Sequence, residues 1–125
     1  MVKRLYLLRH SKAGQGSKKI HDDHSRKLTD KGVALCEAIA MQFDDMSRKP
    51  ELVLSSNAIR TKQTTECVLE FANLKPQTAY IQKLYLASPQ DILAQIHLAN
   101  PEIDSLMIVG HNPGLHQLAL SLPNE

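Results

Sequence analysis

Apolar positions along the chain change period from one segment to the next. Residues 3–8 carry a short continuous apolar run, Leu5-Tyr6-Leu7-Leu8, which predicts a buried strand. A polar, glycine-containing stretch follows over 11–26. Over 29–47 the spacing turns helical: Leu35, Ile39, Phe43 and Met46 fall on one stripe, with Cys36 beside it. Leu52-Val53-Leu54 predicts a second short strand, closed by Ser55-Ser56-Asn57. Residues 58–73 place Ile59, Cys67 and Phe71 at helical spacing, with Val68 and Ala72 alongside. Residues 78–86 alternate weakly, as a strand would. Ser88-Pro89 then supplies an N-cap and a proline at the first helical position, and Ile92, Leu93 and Ile96 share one face before Asn100-Pro101 stops the helix. Leu106-Met107-Ile108-Val109 is a fourth strand. Asn112-Pro113 repeats the cap-plus-proline start, and Leu115, Leu118, Ala119 and Leu122 form a last helix before Pro123.

Strands alternating with helices predict an α/β fold, a doubly wound and mostly parallel sheet with helices on both faces. In such sheets ligands bind beyond the carboxyl ends of the strands. Arg9-His10 follows the first run, Ser55-Ser56-Asn57 the second and Gly110-His111 the fourth. Two histidines therefore leave two strands at one edge.

Composition narrows the possibilities without naming a function. A length of 125 residues suits a single domain over 1–125, and 42% apolar content is enough for one core. Fifteen basic against thirteen acidic residues give +2, with no long basic run, and aromatics are 4% with no Trp. Nucleic acid is therefore not an expected partner. No window approaches the roughly 20 apolar residues of a membrane span, and no leader pattern stands at the N-terminus. A cytoplasmic monomer is expected. Cys36 and Cys67 show no metal or redox spacing and read as buried thiols.

The edge offers Arg9, Arg60 in the first turn after the second strand, His10, His111 and a helix N-terminus at Asn112-Pro113. That set suits a phosphomonoester dianion, with one imidazole as nucleophile and the other groups neutralising the phosphoryl oxygens. An ion-pair cluster without chemistry is the alternative.

Leu7-Leu8-Arg9-His10-Ser11-Lys12-Ala13, Asp23-His24-Ser25-Arg26-Lys27-Leu28-Thr29-Asp30-Lys31-Gly32, Ser55-Ser56-Asn57-Ala58-Ile59-Arg60-Thr61-Lys62-Gln63-Thr64 and Val109-Gly110-His111-Asn112-Pro113-Gly114 together resemble the histidine phosphatase superfamily, in particular its SixA-type phosphohistidine phosphatases. The resemblance covers nearly the whole chain in order. It implies a phosphoglycerate-mutase-like fold and a metal-independent, cofactor-free phosphatase with His10 as a transiently phosphorylated nucleophile. Arg9, Arg60 and His111 would complete the phosphate pocket, with Arg26 and Asn112 as further phosphate contacts and Asp23 at the mouth. The implied substrate is a phosphohistidine-containing signalling protein. A small phosphomonoester, or phosphate and phosphoprotein binding without turnover, is the alternative.

Two departures stand out. Larger relatives place a Glu proton donor after the third strand, where this chain has Lys83-Leu84-Tyr85-Leu86-Ala87-Ser88. Asp23 is then the best substitute donor. A phosphohistidine leaving group carries its own proton on the other ring nitrogen and needs no donor, whereas an alkoxide does. Relatives also continue past the last helix into at least one more strand, so either this sheet is small or the chain is C-terminally truncated at Glu125. His21 and His24, with Asp22 and Asp23, are too few and too close for a metal site. Gly14-Gln15-Gly16-Ser17-Lys18 lacks P-loop spacing. His97 and His116 read as surface residues of helices.

Overall fold

In the computed structural model, residues 2–15, 20–45 and 49–122 are described. Eight elements follow in strict alternation: β1 (Arg4–Arg9), α1 (Asp30–Met41), β2 (Leu52–Ser56), α2 (Ile59–Ala72), β3 (Gln77–Ile81), α3 (Pro89–Leu98), β4 (Ser105–Gly110) and α4 (Gly114–Ser121). The four strands form one parallel sheet in the order β1-β4-β2-β3. Progress from β1 to β3 runs one way across the sheet, and the return to β4 runs the other way. Crossovers of one hand then put α1 and α2 on one face and α3 and α4 on the other. This is the doubly wound architecture that the periodicity predicts.

The period-2 alternation of the central strands sorts the core. Leu52, Leu54, Leu106 and Ile108 pack with Ile92, Ile96, Leu115 and Leu118 of α3 and α4. Their neighbours Val53, Met107 and Val109 pack with Cys36, Ala40, Phe43 and Val68 on the other face. β4 is buried at every position because both of its faces are covered. β1 stands at one end of the described sheet and is only half-buried, not the fully buried strand its apolar run predicts.

Helix ends follow local chemistry. Thr29 Oγ1 accepts from Gly32 N at 3.0 Å to cap α1, and Ser88 Oγ accepts from Asp91 N at 3.1 Å to cap α3, with Pro89 at its start. α4 begins one residue later than Asn112-Pro113 predicts, at Gly114, yet Asn112 Oδ1 still accepts from His116 N at 3.1 Å. A Cβ on Gly114 would lie 1.8 Å from Ala87 O, so only glycine lets α4 approach this backbone. The predicted strand over 78–86 is shorter, ending at Ile81 in a 3₁₀ turn over Gln82–Leu84.

The predicted apolar stripes are corrected on two helices. On α1 the buried positions are Gly32, Cys36 and Ala40, and Leu35 is 43% exposed. The helix passes into a 3₁₀ turn at Gln42, and Met46 lies outside the described residues. On α2 Phe71 is 50% exposed, while Arg60, Thr61, Thr64, Thr65 and Val68 are buried. Among the described residues no helix is long and apolar enough to cross a membrane.

Candidate active site

The register of the sheet assembles the site. Arg9 pairs with Gly110, and His10 N donates to Gly110 O at 3.1 Å. The next residue of each strand is a histidine, and the rings of His10 and His111 stand 5.4 Å apart. Ser55 pairs with Val109, which brings Ser56 beside the same strand end. Arg60 rises from the first turn of α2.

The segment after His10 is anchored from several sides. Ser11 N donates to Thr64 Oγ1 at 2.9 Å, and Ser11 Oγ donates to Gly32 O at 2.7 Å. His10 Nδ1 lies 2.7 Å from Ser11 O. A carbonyl only accepts, so Nδ1 carries the proton and Nε2 keeps its lone pair. Burial is the largest cause that lowers the His10 pKa from 6.5; the Ser11 hydrogen bond opposes it, and Arg60, Arg9 and Arg26 add to the lowering. The imidazole is therefore neutral near neutral pH.

His111 is fixed by the same kind of accounting. The Arg60 guanidinium, which has only donors, approaches His111 Nδ1 at 3.3 Å. Nε2 then carries the proton and donates to Ser56 Oγ at 2.8 Å. Burial, with Arg60 and His10 adding to it, pushes the His111 pKa down to about 3. Beneath lies a buried hydroxyl layer: Thr61 Oγ1 donates to Ser56 O and Ala58 O, Thr64 Oγ1 to Arg60 O, and Thr65 Oγ1 to Ser55 Oγ.

Asp23, on the 3₁₀ turn Ile20–Ser25, closes over this edge. Arg60 donates from one terminal nitrogen to Asp23 O at 2.6 Å and from the other to Asp23 Oδ2 at 3.0 Å. Arg26 donates to Asp23 Oδ1 at 2.9 Å and, through Nε, to Gly14 O at 2.7 Å. The Tyr85 hydroxyl donates to Asp23 Oδ2. That Tyr85 hydrogen bond is the first cause that holds the Asp23 carboxyl at about 2, against desolvation and with help from Arg60 and Arg26.

A carboxyl held that low is ionised near neutral pH in this arrangement. Both terminal nitrogens of Arg60 make hydrogen bonds inside the protein. Its Nε is the exception, buried with no hydrogen-bond partner.

Of the remaining predicted residues, Arg9 is exposed at the end of β1, where its charge acts on His10. Asn112 is exposed, and its side-chain oxygen is committed to α4. Gly16, Ser17 and Lys18 of the glycine-containing stretch lie outside the described residues, and the side chains of His21 and Asp22 are not described. His97 and His116 are exposed on helices, as expected.

Sequence reasoning missed Tyr85 and His24 as site residues. The Tyr85 ring stands edge-on to His24 at 4.8 Å and to His111 at 5.4 Å, and the Arg60 guanidinium lies 5.9 Å from its centroid. His24 Nε2 donates to Asn57 Oδ1 at 2.9 Å. The rule that drew attention to the other strand ends points to Tyr85 as well, since it follows β3 at the same edge. The described apolar grooves lie elsewhere. One of about 640 Å³ is lined by Leu5, Leu93, Ile96 and Leu122, among others, and touches none of these groups.

Comparison with known proteins agrees with this fold. The family model of the histidine phosphatase superfamily (branch 1) matches residues 5–80. A protein from Agrobacterium tumefaciens assigned as the phosphohistidine phosphatase SixA is 36% identical, with a TM-score of 0.85 over 95% of this chain and 75% of that one. A protein histidine phosphatase SixA solved with tungstate is 25% identical, with a TM-score of 0.82 over 97% of this chain and 78% of that one. An uncharacterized chloroplastic protein of Arabidopsis thaliana is 29% identical over 96% of this chain and 59% of its own length. The chain spans about three fifths of the length of the curated relatives it matches. On the family match and the likeness to SixA structures, the chain belongs to the histidine phosphatase superfamily, branch 1, and is of the SixA type.

Proposed function

We propose that the chain is a metal-independent phosphatase that works through a phosphohistidine intermediate on His10 and takes phosphate from phosphohistidine on a signalling protein. The observation that carries this reading is the pinned His10 ring: Nδ1–H on Ser11 O leaves an unprotonated Nε2 beside Arg9, Arg60 and Arg26. A SixA relative solved in complex with tungstate, a tetrahedral oxyanion, is in keeping with an oxyanion ligand.

In the first step the Nε2 lone pair attacks phosphorus. The Nε2–P bond forms as the P–N bond to the substrate ring breaks, and that ring leaves as neutral imidazole with the proton it already held. In the second step water attacks phosphorus, the P–Nε2 bond breaks, and both protons of the water depart with the phosphate. The cationic groups offset the charge on the phosphoryl oxygens in both steps. Asp23 is ionised and supplies no acid, which favours the phosphoramidate over an alkyl ester, whose alkoxide gains about 10²–10⁴ in rate from a placed donor.

The test is an acid-quench search for phosphorylated His10, with a phosphohistidine peptide and an alkyl phosphate compared in excess chelator. Phosphoenzyme on wild type, its loss in His10→Ala and a preference for the peptide are expected. Faster turnover of the alkyl phosphate would make the chain a small-molecule phosphatase. Phosphate binding with no phosphoenzyme would make it a binder, and chelator-dependent loss restored by a divalent cation would overturn the metal-free reading.

A further inference from the structure

The arrangement around Asp23 raises a question that the proposed chemistry leaves open, namely which donor Arg60 presents to a phosphoryl group. Arg60 is 3% exposed and spends its terminal nitrogens on Asp23 and His111. Its Nε–H is buried and unpaired. A buried donor without an acceptor is costly, so a site that retains one is suited to an acceptor that a ligand brings. Asp23 in turn is held by Arg26, Arg60 and the Tyr85 hydroxyl. The chain of contacts runs from Tyr85 through Asp23 to Arg60 and on to His111.

We infer that Tyr85 is a positioning residue of the phosphate site, its hydroxyl holding Asp23 so that Asp23 fixes the Arg60 guanidinium and leaves Nε–H as the donor for one phosphoryl oxygen. The inference rests on the phosphate-site reading above and adds to it how Arg60 is presented and by which residue. Tyr85 is suited to the task because its ring is packed between His24 and His111, so the hydroxyl has little freedom. Burial and the neighbouring Asp23 raise the pKa of the phenol, which therefore stays a donor.

Tyr85→Phe isolates the hydroxyl because the ring and its contacts remain. The readout is the Arg60 Nε–H resonance and the dissociation constant for inorganic phosphate, measured by NMR titration of the whole chain. In wild type the resonance is expected to move downfield as phosphate binds. In Tyr85→Phe the dissociation constant should rise about tenfold, the size of one lost charge-assisted hydrogen bond, and the shift should shrink.

Asp23→Asn keeps the shape and removes the charge, and should weaken binding at least as much. It should also lower turnover of a phosphohistidine peptide and an alkyl phosphate by the same factor, since it positions and does not protonate. Titration adds a second signature. Asp23 faces Arg26 on its own segment, Arg60 from α2, Tyr85 after β3, and His111 beyond β4. Without the Tyr85 hydroxyl its pKa should rise from about 2 toward the ordinary 3.8, so the acid limb of phosphate binding should move up in pH.

Wild-type phosphate affinity, resonance shift and pH profile in Tyr85→Phe would overturn the inference, as would tighter phosphate binding in Asp23→Asn. The two readings fail separately. Absence of phosphoenzyme with a Tyr85-dependent phosphate affinity removes turnover and keeps the inference. A normal phosphoenzyme with Tyr85-independent affinity does the reverse.

Discussion

The two sides of the sheet are built from different materials where they approach its carboxyl edge. On the α3–α4 side the contacts are aliphatic throughout: Leu52, Leu54, Leu106 and Ile108 meet Ile92, Ile96, Leu115 and Leu118. On the α2 side an apolar core of Val53, Val68, Met107 and Val109 gives way, toward the carboxyl edge, to buried Ser55, Ser56, Arg60, Thr61, Thr64, Thr65 and His111, nearly all joined by hydrogen bonds. Dispersion and area burial are tolerant of direction, so the aliphatic side supplies stability without specifying where any one atom points. A buried polar network is intolerant, because each unmet donor or acceptor carries its full desolvation cost. The second kind of layer positions the groups of the candidate site; the first holds up the sheet that carries them.

The largest effect is expected from emptying the aliphatic side. Leu118 is 2% exposed, and Leu118→Ala should cost about 2–5 kcal/mol of stability through lost burial and the cavity left behind. Turnover by the folded fraction should stay near wild type. A folded Leu118→Ala protein with strongly reduced kcat would show that the two layers are not separable. Urea unfolding and kcat measured on the same preparation decide this.

On the polar side, Arg60→Lys keeps the charge and removes the fork that meets Asp23 and His111 together. The expected loss in kcat/KM is at least about tenfold, near 1.4 kcal/mol of transition-state binding. Its urea midpoint should fall less than that of Leu118→Ala. Wild-type kinetics would make Arg60 a distant charge and would blur the contrast between the layers.

A third effect is a pH dependence that belongs to the polar side alone. Burial lowers the folded-state pKa of His111 to about 3 from 6.5, so between those values the unfolded chain binds the extra proton. Stability should fall as pH drops from 6.5 toward 3, and His10, also lowered by burial, acts in the same direction. Comparing urea midpoints at about pH 7 and pH 5 tests the sign. The drop should be smaller in His111→Asn, and a wild-type midpoint that is level between the two pH values would contradict the burial argument.

Much of the site is legible in the sequence because strand ends are legible. Arg9-His10 and Gly110-His111 each follow an apolar run, and parallel neighbours bring such ends together. Arg60 falls in a helical first turn that periodicity locates. The buried face of α2 is not legible from apolar spacing. Arg60, Thr64 and Val68 recur every four residues, as do Thr61 and Thr65, but only Val68 is apolar. Hydroxyls become core residues when neighbouring carbonyls accept from them, which a one-dimensional hydropathy pattern does not record. Leu35 departs from its predicted stripe for a related reason: the tighter approach at Gly32, where a Cβ would stand 2.1 Å from Lys12 O, turns Cys36 inward and leaves Leu35 outside.

By itself, then, the sequence determined the alternation of strands and helices, the caps at Thr29 and Ser88, and the identity of the residues that leave each strand, because these depend on neighbours within a few positions. Only the tertiary structure decided that Asp23 reaches Arg60 across 37 residues and Tyr85 across 62. Those contacts depend on the strand order β1-β4-β2-β3, which brings the ends of all four strands to one edge. They also decided the chemistry of Asp23, since the pKa of a carboxyl that would be an ordinary acid alone is lowered by a phenol and two guanidiniums. Protonation belongs to the assembled environment, and that environment exists only once distant segments have met.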